Sequence, residues 1–157
     1  MVPVGHPFDV VVTTNGGYPL DQNLYQSVKG MSAAAQILRD GGAILIATEC
    51  SDGLPDHGQY RHLLAESRSP EAFLGRLAAS MSAIHDQWQV QVQAMIQARA
   101  TVLVKSDGLT KEQVRGAWFE PVDDVQATLD RLLHEADGGA GVAVLPQGPQ
   151  TIPFLAA

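Results

Sequence analysis

Phe8-Asp-Val-Val-Val-Thr13 and Ala43-Ile-Leu-Ile-Ala-Thr48 are two short apolar runs rich in β-branched residues, with a helix-like stretch between them. Each run is nearly continuous in its apolar character. That fits a strand covered on both faces in a parallel sheet better than a strand with one wet side. Thr101 to Val104 and Gly141 to Leu145 repeat the pattern. Helical periodicity fills the intervals: Asp21 to Arg39, about two or three segments between Pro70 and Arg99, and Val122 to Ala136. Strands alternating with helices predict an α/β layered domain, with a mainly parallel sheet of about four to five strands flanked by helices. The whole chain, 157 residues, fits one compact domain of this kind.

Local punctuation supports the element boundaries. Ser69-Pro70-Glu71 places an N-cap, a proline at the first helical position and an acidic first turn before Ala72-Phe73-Leu74. Asp40-Gly41-Gly42 is expected to stop the first helix, and Asp137-Gly138-Gly139 the last one. The tail from Pro146 to Ala157 holds three prolines and is expected to wrap the surface. Polar clusters follow the strands: Thr14-Asn15-Gly16-Gly17, Glu49-Cys50-Ser51-Asp52-Gly53, Lys105-Ser106-Asp107-Gly108 and Pro146-Gln147-Gly148. In open α/β sheets ligands bind outside the carboxyl ends of the strands, so the edge where these loops gather is the expected site.

Composition narrows the function classes. A hydrophobic fraction of 45% with 17% charged residues is ordinary for a globular domain. A formal charge of −7 disfavours a nucleic-acid or anionic-membrane partner, because nothing would compensate phosphate charge. The apolar runs are strand-sized, far short of the roughly twenty residues a membrane helix needs. Cys50 is the only cysteine, which excludes an internal disulfide and a thiolate metal site and fits a cytoplasmic setting. Met1-Val-Pro-Val-Gly-His-Pro7 lacks the basic and apolar regions of a signal peptide. It reads as a linker entering a strand.

The first helix carries the sharpest signal. At 100° per residue, Leu24, Val28, Met31, Ala35 and Leu38 fall within about 40° of one direction and form a core stripe. Gln22, Gln26 and Lys29 fall on the opposite side, within about 60° of one another, and Tyr25 lies between the faces. An ammonium and two amides on one ridge suit a small carboxylate or hydroxy acid, although most amphipathic helices carry such residues simply as a solvated face. The preceding Asn15-Gly16-Gly17 loop is neither G-x-G-x-x-G nor a P-loop, and its glycines read as turn residues.

The string Thr13-Thr-Asn-Gly-Gly-Tyr-Pro-Leu-Asp-Gln-Asn-Leu-Tyr-Gln-Ser-Val-Lys-Gly-Met31 closely resembles the signature that opens the C-terminal domain of the nickel-pincer lactate racemases. Glu49-Cys-Ser-Asp-Gly53, Tyr60 and Leu63-Leu64 resemble that family's next block. The resemblance implies a two-domain enzyme that takes a hydride from the α-carbon of a 2-hydroxy acid and returns it to either face. A nickel-pincer nucleotide accepts the hydride. The metal ligands, the cofactor lysine and the acid/base histidines belong to an N-terminal domain with no counterpart here, so no cofactor is expected on this chain alone. The C-terminal domain closes over the site with a Tyr-Gln-x-x-Lys element, matched here by Tyr25, Gln26 and Lys29. Lys29 would pair with the substrate carboxylate, Gln26 would hydrogen-bond polar atoms, and Tyr25 would wall the pocket. The alternatives from other classes are a stand-alone carboxylate-binding module without nickel chemistry and a structural assembly domain.

Other candidates stay open at this stage. Trp88 would line an apolar substrate wall near Tyr25, or else pack in a core or between domains. The glutamines at 87, 89, 91 and 93 are expected to mark a solvated or interdomain surface. Glu49 and Asp52 suit acid/base work or loop capping, and Cys50 lacks a histidine partner in the sequence. Lys105-Ser106 suits a cofactor phosphate or a plain surface loop. His57 and His62, five apart, would stand about 140° apart on a helix and share no metal. His6, His85 and His134 look isolated.

Overall fold

The computed structural model describes residues 1–79, 82–136 and 139–156. Its main sheet has five parallel strands in the order β5-β4-β3-β2-β6. These are β2 (Phe8–Thr14), β3 (Leu38–Ala47), β4 (Thr101–Lys105), β5 (Glu120–Pro121) and β6 (Val142–Leu145). The expected layered α/β architecture is the one observed. A separate two-stranded sheet pairs β1 (Val2–Val4) with β7 (Pro153–Leu155) in parallel, so the proline-rich tail is tied to the first residues.

Alternation along the strands sends side chains to two unequal cores. Val11, Ile44, Ile46, Val102 and Val104 face a large cluster shared with α1 (Leu24–Ala35), α2 (Tyr60–Ala65), α3 (Pro70–Ala79), α4 (Gln87–Gln97) and α5 (Lys111–Gly116). Val10, Ala43, Leu45 and Leu103 face a smaller cluster under α6 (Val125–Glu135), which packs Val125, Leu129 and Leu132 there. The chain steps from β2 through β3 and β4 to β5, then turns back across the sheet to β6. Reversing that direction requires the returning helix to lie on the opposite face, where α6 is found.

Helix α1 begins three residues later than the periodicity suggests. Asn23, in extended conformation, accepts a hydrogen bond from the Gln26 amide at 3.1 Å and sets the N-cap. Gln22 therefore stands before the helix, not on its outer ridge. The core stripe is as expected for Leu24, Val28, Met31 and Ala35, all buried. Leu38 is buried too, but in β3.

Asp40-Gly41-Gly42 does not stop the helix, which has already ended at Ala35. It lies inside β3 as an irregularity: Phe8 pairs with Leu38, then Val10 with Ala43. Gly41 takes φ +77°, and a Cβ on Gly42 would lie 2.7 Å from the Asp9 carbonyl oxygen. The second proposed glycine stop includes residues 137 and 138, which lie outside the described residues. The Ser69 cap is present, its hydroxyl accepting from the Ala72 amide at 3.2 Å.

Two of the four glutamines do not lie on a surface, while Gln87 and Gln91 are half-buried. Gln89 and Gln93 are 1% and 0% exposed. Gln93 accepts from the Tyr60 hydroxyl at 2.5 Å and donates to the Ala117 carbonyl at 2.8 Å. Gln89 donates to the Tyr25 carbonyl at 2.6 Å. Buried amides satisfied this way join α4 to α2, α1 and the turn after α5.

Candidate functional site

The N-terminal turn of α1 brings the candidate residues together. Tyr25, Gln26 and Lys29 lie within two turns of the Asn23 cap. The Lys29 ammonium donates to Gln26 Oε1 at 2.5 Å. Of the three lysines in the sequence, Lys105 pairs with Asp107, and Lys111 with Asp123 at 2.7 Å. Among the described residues Lys29 has no carboxylate partner. Among the described residues it presents a positive charge whose polar contact is a neutral amide.

Tyr25 is held from two sides by aromatic edges. Its ring centroid is 5.4 Å from that of Tyr60 and 6.1 Å from that of Trp88, both nearly perpendicular to it. Such edge-to-face pairs fix ring orientation beyond what area burial supplies. Tyr60 is fully buried behind Tyr25, and burial pushes its phenol far above the ordinary range. Trp88 is 56% exposed, so it is not a core residue of this chain. It stands at the surface beside Tyr25, where a wall and an interdomain contact are both open to it. The Tyr25 phenol is also raised, first by burial and then by the nearby Asp86 carboxylate.

A cleft of about 230 Å³ opens beside Tyr25 and Gln26, reached also by Gln22, Pro55, His57 and His85. These residues arrive from the loop before α1, the loop before α2 and the turn before α4. His57 is therefore not on a helix at all, and the helical spacing argument against its pairing with His62 does not apply. The two imidazoles have separate neighbours in any case: His62 Nε2 lies 2.9 Å from Glu66 Oε1. His85 is not isolated, its Nδ1 being 3.1 Å from Asp86 Oδ2. No periodicity in the sequence places His57 or His85 near Tyr25.

The carboxyl ends of the strands form a second cleft, of about 470 Å³, lined by Thr14, Asp21, Thr48, Glu49, Lys105 and Ser106 among others. Much of its chemistry is internal. The Ser106 hydroxyl donates to the Glu49 carbonyl at 2.7 Å, and the Gly108 amide to the same oxygen at 2.9 Å. The Cys50 amide donates to the Asp21 carbonyl, the Asp52 amide to that of Gln22, and the Leu24 amide to that of Gly53. The Glu49–Gly53 segment thus clamps the loop that leads into α1. Cys50 is completely buried with its sulfur 3.6 Å from the Ser27 and Thr48 hydroxyls. Burial pushes its thiol up, which leaves it a poor nucleophile.

Among the described residues no group of three or more histidine, cysteine, aspartate or glutamate side chains is placed to hold a metal ion. None of their helices is long and apolar enough to cross a membrane.

Comparison with known proteins adds a family. The chain is 36% identical over 148 residues to the lactate racemase of Thermoanaerobacterium thermosaccharolyticum, covering 93% of this chain and 34% of that protein. It is 34% identical over 142 residues to the lactate racemase of Lactiplantibacillus plantarum, covering 89% and 33% respectively. The chain thus spans about a third of the length of these curated relatives. The solved lactate racemase apoprotein from T. thermosaccharolyticum superposes with a TM-score of 0.86 at 32% identity, over 98% of this chain and 36% of that one. A protein from Thermotoga maritima shares the fold alone, at a TM-score of 0.55 and 9% identity. The model of the lactate racemase C-terminal domain matches residues 5–152, and on that match the chain belongs to this family.

Proposed function

We propose that this chain is the substrate-side domain of a 2-hydroxy-acid racemase of the lactate type, acting with an N-terminal cofactor-binding domain in the whole protein and inactive by itself. The carrying observation is the Lys29 ammonium, held on a helix beside Gln26 and Tyr25 with no carboxylate partner among the described residues. A fixed positive charge of this kind anchors the carboxylate of a small acid, and Gln26 supplies an orienting amide next to it. Tyr25, backed by Tyr60 and edged by Trp88, gives a rigid wall that excludes water on one side of the bound acid. Hydride transfer needs the α-carbon held close to its acceptor, and anchoring on an ordered helix keeps that geometry.

In this reading a nickel-pincer nucleotide held outside the chain supplies the hydride acceptor. The side chains described here do not fit a metal centre, and no step is assigned to them beyond binding and orientation. The lone buried cysteine and the acidic surface accord with a cytoplasmic protein.

The test is Lys29→Ala in the full-length protein. Loss of a charge-assisted contact of about 1.5 to 3 kcal/mol lowers the racemisation rate at least tenfold. Wild-type turnover in that variant refutes the assignment.

A further inference from the structure

Resting on that substrate-side reading, we propose that Asn15 is a positioning residue. Its buried side-chain amide fixes the direction in which α1 presents Gln26 and Lys29 to the bound acid.

Asn15 directly follows β2, is 1% exposed and bonds to the backbone of α1. Its Oδ1 accepts the Gly30 amide at 2.9 Å, and its Nδ2 donates to the Gln26 carbonyl at 3.1 Å. An α-helix ordinarily pairs that amide with that carbonyl. The other Nδ2 proton goes to the Leu20 carbonyl, in the loop before α1.

The helix could satisfy Gln26 and Gly30 with each other, so Asn15 adds little to backbone hydrogen bonding. What it adds is place. The turn from Gln26 to Gly30, which carries Lys29, is tied to the end of β2 and to the loop that enters the helix.

The helix gives up propensity to admit this contact. Glycine is a poor residue for a helix interior, yet a Cβ at Gly30 would lie 2.8 Å from Asn15 Oδ1. Gly148, from the tail, packs against the same turn so closely that its own Cβ would lie 2.9 Å from Gly30 Cα. The neighbouring Tyr25 carbonyl is held from α4 by Gln89 at 2.6 Å. Buried amides thus grip two successive carbonyls of α1, while the exposed Lys29 ammonium meets Gln26 Oε1 at 2.5 Å. A shift of this turn moves the ammonium against the acid's carboxylate, and small misplacements of an anchoring group are costly in rate.

The experiment is a double-mutant cycle on kcat/KM for lactate in the full-length protein, built from Asn15→Ala and Lys29→Ala. In Asn15→Ala the Gly30 amide and the Gln26 carbonyl are free to close the ordinary helical bond, and circular dichroism checks that the fold persists. The expected result is a loss of about tenfold from Asn15→Ala in the parent, and of less than about threefold once Lys29 is already alanine. Gly30→Ala displaces the Asn15 amide without removing it, repeats the pattern, and is the variant to read should Asn15→Ala not fold. Equal losses in both backgrounds mark a merely structural residue. That result, or parental kcat/KM in Asn15→Ala, overturns the inference while Lys29→Ala remains impaired. Parental turnover in Lys29→Ala overturns the substrate-side reading itself, and the inference with it.

Discussion

Replacing Gln93 with methionine tests whether the buried amide network supports the Tyr25 wall. The substitution nearly conserves volume, so its cost is set by the hydrogen bonds lost. Gln93 is fully buried and satisfies both the Tyr60 hydroxyl and the Ala117 carbonyl. The carbonyl keeps a longer contact, from Gln97 Nε2 at 3.4 Å, but the hydroxyl keeps none. A buried polar group left without its partner costs about 1 to 3 kcal/mol, which puts Gln93→Met at about 2 to 4 kcal/mol. For a chain of this size that lowers Tm by roughly 5 to 15 °C. Urea unfolding followed by far-ultraviolet circular dichroism measures the difference at unchanged m-value. Adding Tyr60→Phe removes the stranded hydroxyl, and the double variant recovers about 1 kcal/mol relative to the sum of the single changes. A Gln93→Met chain within about 0.5 kcal/mol of the parent, or strict additivity with Tyr60→Phe, refutes the network as a source of stability.

Two glycines in helices have opposite expected responses. Gly75→Ala in α3, where an added Cβ meets nothing within 4 Å, stabilises by about 1 kcal/mol in urea unfolding. Gly30→Ala in α1 destabilises by about 1 to 3 kcal/mol in the same assay, because its Cβ would lie 2.8 Å from Asn15 Oδ1 and 3.0 Å from the Thr14 carbonyl oxygen. Cys50 and Tyr60 are both raised by burial, so the unfolded chain ionises first. Stability is full below about pH 8.5 and falls as pH rises towards the folded values, and Cys50→Ala flattens the fall between about pH 8.5 and 10 in urea midpoints measured across that range.

The parallel sheet was legible because its strands are buried on both faces and read as uninterrupted β-branched runs. β5 was not, since Glu120–Pro121 is too short to show any period. The start of β3 was hidden because Asp-Gly-Gly is the usual grammar of a helix stop, whereas here Gly41 and Gly42 let the strand bend against Asp9. The Tyr25, Gln26 and Lys29 group was readable because it lies on one helix, where spacing translates directly into position. Gln89 and Gln93 were misread for the opposite reason. Their partners, Tyr25, Tyr60 and Ala117, lie 24 to 64 positions away, and only the folded chain shows that these amides are satisfied. The cleft histidines come from two loops and leave no pattern in the sequence.

The place of β2 in the sheet has a kinetic consequence. Its two neighbours are made at very different times during synthesis. β3 follows within one helix, but β6 is near the end of the chain, and the Gly141 amide closes on Asp9 across 132 positions. Closing so long a loop is entropically expensive, and contacts of this separation form late. Until residues 142–145 leave the ribosome, the Val10–Thr13 edge has hydrogen-bonding groups with no partner strand. A nascent chain halted before that point therefore exposes an apolar strand edge to other chains, and chaperone protection matters most in this interval.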